Sequence, residues 1–201
     1  MRKPKFSLMF VLAVLFLAPT MALSGPLGVL EAFSPNISYV QGTDFVTFEA
    51  NYVLGDVTAP VEKTRNYGLN DADFYDDNGV SLVTGLIALI LRGPASDPLA
   101  YFSTKVNNAY EAGAIGAIVY NDGRAWPPPS GVTLQDPTFI PCVLVSDAVG
   151  VDLMNRFYGI SGMNEIHLRV GAPVPEPATM LLLGLGLMGL AGVRGKLSRR
   201  A

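Results

Sequence analysis

The hydrophobic positions change period along the chain, and the changes mark out elements. "TDFVTFEANYV" (Thr43 to Val53) roughly alternates and is rich in β-branched and aromatic residues. That pattern predicts a half-buried strand. "LIALILRG" (Leu86 to Gly93), "AIGAIVY" (Ala114 to Tyr120) and "IPCVLVS" (Ile140 to Ser146) are instead unbroken apolar runs of strand length, the signature of strands buried on both faces.

Between the first two runs, Leu99, Phe102, Val106 and Ala109 recur at helical spacing. Asp97 is placed to cap, Pro98 to open the first turn and Gly113 to close it, so a helix is predicted from Pro98 to Ala112. Strand, helix, strand at this spacing makes a crossover with the strands parallel. A second helix is expected from an Asp147 cap to Gly159, with Val151, Met154 and Phe157 on its apolar side. "EIHLRV" (Glu165 to Val170) alternates again and reads as an edge strand with His167 and Arg169 outward. The fold class is α/β, a small mixed sheet with two or three helices.

Both ends of the chain carry a different pattern. Arg2, Lys3 and Lys5 precede an apolar run from Phe6 to Ala18, with small residues at Thr20 and Ala22. Residues 1–22 are therefore expected to be a secretory signal peptide, since the run is too short to span a bilayer core of roughly 30 Å. At the other end an uncharged run from Pro177 to Val193 is followed by Arg194, Lys196, Arg199 and Arg200. Residues 178–193 are long enough for a short transmembrane helix whose basic end stays cytoplasmic.

Setting the ends aside changes the charge. The whole chain is close to neutral at −3, but residues 23–173 hold seven basic against sixteen acidic residues, a balance of −9. With no cluster of Lys and Arg, nucleic acid is excluded as a partner. The single cysteine, Cys142, precludes an internal disulfide, so 151 residues of one domain rest on packing alone.

Little here signals catalysis. His167 is the only histidine, which rules out a His-Glu-x-x-His zinc site. Cys142 lies in an apolar strand, where a thiol behaves as a small hydrophobe and its pKa rises. Asp71, Asp73, Asp76 and Asp77, with Asn78, crowd one loop and have the oxygen density for calcium, though not EF-hand spacing. A solvated acidic turn is the alternative. The loop from Asn121 to Phe139 is the best candidate for contacting a partner: Trp126 stands beside Pro127, Pro128 and Pro129, with Asp122 and Arg124 just before it. A proline-stiffened loop loses little entropy on binding. Either Trp126 is presented to a ligand or it folds back over the sheet.

The order of motifs resembles the protease-associated (PA) domain. "IALILRG", then Phe102, Lys105, Ala109 and "AGAIGAIVYND", then "IPCVLVS" and "GVDL" follow that family's sequence of pieces, with a core of about 57–157 inside a domain of 23–173. Many members have a cysteine shortly after Arg-Gly where this chain has "PASDPLAY". The resemblance implies a domain that mediates protein interaction or restricts substrate access; separately, no cofactor is expected apart from calcium at the acidic loop.

Residues 174–201 are similar to the PEP-CTERM sorting signal of Gram-negative bacteria, with Pro175-Glu176-Pro177, the apolar run and the basic cluster all present. That likeness implies an exosortase-type enzyme as partner, transient or permanent membrane anchoring, and delivery to the cell surface or matrix. A non-catalytic module binding a peptide, protein or polysaccharide is the expectation. A small hydrolase with an unfamiliar site and a structural matrix protein without a discrete ligand are the alternatives.

Overall fold

The computed structural model describes residues 26–33, 36–94, 96, 101–159 and 165–171, all within the compact unit Gly25–Pro175. The expected signal peptide, the sorting tail with its transmembrane helix, and the Asp97, Pro98 and Leu99 positions lie outside the described residues. In chain order the elements are β1 (Leu27–Phe33), β2 (Asn36–Tyr39), β3 (Phe45–Thr47), β4 (Gly55–Lys63), a 3-10 turn (Asp71–Phe74), β5 (Ile87–Leu91), α1 (Phe102–Glu111), β6 (Gly116–Tyr120), β7 (Cys142–Val145), α2 (Asp147–Gly159) and β8 (Glu165–Gly171).

The eight strands form one mixed sheet in the order β2-β1-β8-β4-β5-β6-β7-β3. Strands β4 to β7 are parallel neighbours, and every other pairing is antiparallel. The three apolar runs become β5, β6 and β7 because each is packed on both faces. On one side Ile87, Leu89, Ile118, Val143 and Val145 meet Val149 and Leu153 of α2. On the other Ala88, Ile90, Ala117, Val119, Cys142 and Leu144 meet Val106 and Ala109 of α1.

Several expectations are corrected. Strand β8 is not an edge: it lies between β1 and β4, pairing His167 with Glu31 on one side and Thr58 on the other. The Thr43–Val53 strand shrinks to Phe45–Thr47, because the chain turns away at Asn51, which takes a left-handed φ of 58°. Val151 is 49% exposed, and Val149 and Leu153, with the predicted Met154 packed beside them, carry the core face of α2. The α2 cap is Ser146, whose hydroxyl accepts the Val149 N–H at 3.3 Å, which frees Asp147 for other work. At the end of α1, Gly113 does take the left-handed conformation, with φ of 94°.

The sheet curls until the start of β1 comes against β3. Gly28 of β1 runs so close to β3 that a Cβ there would stand 2.8 Å from Thr47 Cγ2. Gln41 stitches the seam: its Oε1 accepts the Gly28 N–H at 2.8 Å, and its Nε2 donates to Pro26 O at 3.0 Å and Thr47 Oγ1 at 3.1 Å. Side-chain hydrogen bonds thus replace a missing strand ladder at the open join.

Candidate functional site

In sheets with parallel strands, ligands are held where the strands' carboxyl ends open into loops. Here those ends are Lys63, Leu91, Tyr120 and Val145. Parallel pairing brings Leu91 beside Tyr120 and Tyr120 beside Val145, so residues one or two positions past each strand become neighbours although far apart in sequence.

The loop after β4 is shaped by Asp73. This buried carboxylate accepts from Asn66 Nδ2 at 2.9 Å, from the Leu69 N–H at 3.1 Å and from the Asn70 N–H at 3.4 Å. Gly68 is forced by the fold: it has a positive φ, and a Cβ would lie 2.8 Å from Ile90 Cγ2. Lys105, buried on α1, reaches under this loop. Its ammonium donates to the carbonyls of Tyr67, Leu91 (3.2 Å) and Gly93 (2.9 Å), and sits 5.6 Å from the Tyr67 ring centroid. One cation therefore ties two strand ends to the helix. Above it opens a cleft of about 540 Å³, bordered by Glu62, Lys63, Arg65, Tyr67, Leu91 and Tyr120, within the size range of ligand sites. Partial burial raises the pKa of Glu62 above the usual carboxylate range.

After β5 and β6 comes a polar cluster. Arg92 donates to Asn121 Oδ1 at 2.7 Å and lies over the Phe102 ring at 5.7 Å. Buried Asn121 donates in turn to Arg124 O (2.7 Å) and to Asp147 Oδ2 (3.2 Å). Asp147 Oδ1 accepts the Gly123 N–H at 2.9 Å, and Arg124 pairs with Asp122 at 2.8 Å. Burial first, and the neighbouring Arg124 second, lower the pKa of Arg92. Three buried polar atoms of this cluster lack a hydrogen-bond partner: Arg92 Nε, Arg124 Nε and Asp122 Oδ1. Unpaired buried polar atoms are costly and call for an explanation. Gly93 joins the cluster to the cleft, since a Cβ there would lie 2.8 Å from Tyr67 Cε1 and 3.0 Å from Asp122 Oδ2.

Asp122 and Arg124 thus meet at one place, but Trp126 folds back. Its indole N–H donates to Thr43 O, and its ring packs on the α1-side core. Pro128 is half-buried, and its carbonyl accepts the Gly131 N–H at 3.3 Å. The four aspartates of the acidic loop go separate ways. Asp73 braces the loop, Asp76 accepts the Asn78 and Val80 amides, Asp77 pairs with Arg65 at 2.7 Å, and Asp71 is exposed. Among the described residues no three of His, Cys, Asp and Glu gather as a metal group.

His167 faces outward, with Nε2 2.7 Å from Asp56 Oδ1 and Nδ1 3.4 Å from Glu31 Oε2. Cys142 is buried, and burial pushes its thiol up to about 12, so it is protonated and unreactive at neutral pH. The residues that sequence reading missed are Lys63, Tyr67, Arg92, Lys105, Asn121 and Asp147. The signal was available in part: "RG" and "YND" each end a buried run, and parallel neighbours must bring such endings together.

Comparison with known proteins adds two family matches: residues 53–153 fit the PA domain, and residues 173–196 fit the PEP-CTERM protein-sorting motif. Among solved structures, the chain resembles an aminopeptidase from Aneurinibacillus sp. strain AM-1, with 25% identity over 74% of this chain and 31% of that one, at a TM-score of 0.52. A zinc aminopeptidase from Bacillus subtilis matches with 25% identity over 73% and 30%, at 0.47. The chain spans about a third of the length of these enzymes. No curated protein matches it.

Proposed function

The chain belongs to the PA-domain family and ends in a PEP-CTERM sorting motif, which implies export and exosortase processing, and from that premise we propose that it is a non-catalytic binding module delivered to the cell envelope. In this reading residues 1–22 direct export and residues 174–201 hold the chain in the membrane until an exosortase acts near Pro175-Glu176-Pro177. The final destination is the surface or extracellular matrix of a Gram-negative cell. The binding face is the carboxyl edge of β4 to β7, where Asp122 and Arg124 adjoin the cleft beside Tyr67. A peptide or protein is the preferred ligand.

The observation that carries this reading is the cluster of buried, unpartnered polar atoms on Arg92, Asp122 and Arg124 beside an open cleft. A partner that supplied the missing donor and acceptors would remove the cost that the free domain bears. No nucleophile with an adjacent base accompanies it among the described residues, which favours binding over hydrolysis.

Two experiments test the proposal. The intact mass of the protein from envelope and medium fractions, beside a Glu176→Ala variant, reads the sorting step: a mass ending near Pro175 to Pro177, lost in the variant, is expected. A mass that still includes Arg200 would overturn it. Ligand capture from the envelope fraction by the wild type and by an Asp122→Ala/Arg124→Ala variant of equal melting temperature reads the binding face. Loss of capture in the variant is expected, and equal capture by both would contradict the assignment.

A further inference from the structure

Of the seven basic residues between positions 23 and 173, five stand at this one edge: Lys63, Arg65, Arg92, Lys105 and Arg124. The acids beside them are Glu62, Asp73, Asp76, Asp77, Asp122 and Asp147. The edge therefore stands close to neutral inside a domain whose overall balance is −9, which makes it the face that least repels an acidic partner.

The placement of the acids sharpens the contrast. Asp147 spends its two oxygens on Gly123 and Asn121, and Asp122 meets Arg124 through one oxygen alone. Arg92 and Arg124, two like charges, are held together by the neutral amide of Asn121, which accepts from one side chain and donates to the backbone of the other. Each guanidinium keeps a buried Nε–H with no acceptor.

We infer that this edge receives the acidic side chains of a peptide segment, an aspartate or glutamate carboxylate seated against Arg92 and Arg124 with Lys63 facing the same ligand across the cleft. The inference rests on the reading of this edge as the binding face and adds the chemistry of what binds. A carboxylate offers the planar pair of acceptors that guanidinium groups prefer. Tyr67, Leu82, Leu91 and Tyr120 on the cleft border suit an apolar side chain next to the acid better than a run of sugar hydroxyls, which favours a peptide over an acidic polysaccharide.

The test uses the full chain in a neutral detergent with fluorescein-labelled poly-L-glutamate as probe, followed by fluorescence anisotropy. The wild type is expected to bind, about tenfold or more weaker when salt is raised from low to molar concentration. A Lys63→Glu/Arg124→Glu variant is expected to lose binding, while Arg169→Glu, on β8 away from the edge, keeps it. Should the double variant fail to fold, Arg124→Gln takes its place, with weakened binding expected.

Tighter binding of polygalacturonate than of poly-L-glutamate would overturn the peptide assignment. Absence of poly-L-glutamate binding, or binding indifferent to both edge variants, would overturn the charge argument. If envelope capture still depends on Asp122 and Arg124 in that case, the binding face stands and only its proposed ligand chemistry falls.

Discussion

Strands β5, β6 and β7 bury consecutive residues against helices on both faces, whereas β1 and β8 bury only every second residue of their central stretch. The same sheet thus contains a doubly covered parallel half and a singly covered antiparallel half. The two halves divide the labour. Parallel strands all end on one side, so their loops converge and carry the polar cluster and the cleft. The antiparallel strands turn back on themselves and close the inner core with Leu30, Ala32, Ile166, Leu168 and Val170, with an outer face on which His167 contacts Asp56 and Glu31.

The largest expected effect breaks this comparison directly. Leu89→Lys and Ile90→Lys point to opposite faces of β5, yet both bury an unpaired charge, and each should cost about 4 kcal/mol or more. In β8 Leu168→Lys should do so as well, whereas Arg169→Lys at the adjacent, outward position leaves urea denaturation unchanged. Tolerance of Ile90→Lys would show that the α1 side of β5 is not a true core. Next in size, Lys105→Met should destabilise by about 3 kcal/mol, because three carbonyls at the strand ends lose a charged donor. An unchanged denaturation midpoint would show that those carbonyls find other donors.

A smaller loss, about 1–2 kcal/mol, is expected for Gln41→Ala, which opens the seam between β1 and β3. Faster amide exchange at Gly28 would locate the damage, and unchanged exchange there would place the loss elsewhere.

The smallest effect is a pH dependence. The pKa of Glu62 is raised in the fold by burial, so its contribution to stability is present below the usual carboxylate pKa and is lost as pH rises through the raised value. Glu62→Gln should therefore be slightly more stable than the wild type at neutral pH, with the difference vanishing in acid. A variant less stable at pH 7 would contradict the sign.

How much of this could be read from the chain follows the same division. The unbroken apolar runs announced β5, β6 and β7, since burial on both faces leaves no polar position to blur the pattern. The β1–β2 hairpin and β4 went unseen. Their burial is partial and irregular, and β4 carries Pro60, a residue that argues against a strand interior. Strand β8 looked like an edge because its alternation says only that one face is wet, not what pairs on either side. Asp122 and Arg124 were legible as polar residues on a loop beside Trp126. Their companions Arg92, Asn121 and Asp147 were not, because what unites them is strand order. Trp126 itself was ambiguous from sequence, and the Thr43 carbonyl that claims its N–H comes from 83 residues away.

The most direct test of the division between a binding half and a supporting half is a photo-crosslinking residue placed at Tyr67 or at Thr58 in the full chain within its native cell. Tyr67 borders the cleft, and Thr58 lies on β4 beside His167. A discrete cross-linked partner from position 67 and none from position 58 is the predicted result. The same partner from both positions, or from position 58 alone, would contradict it.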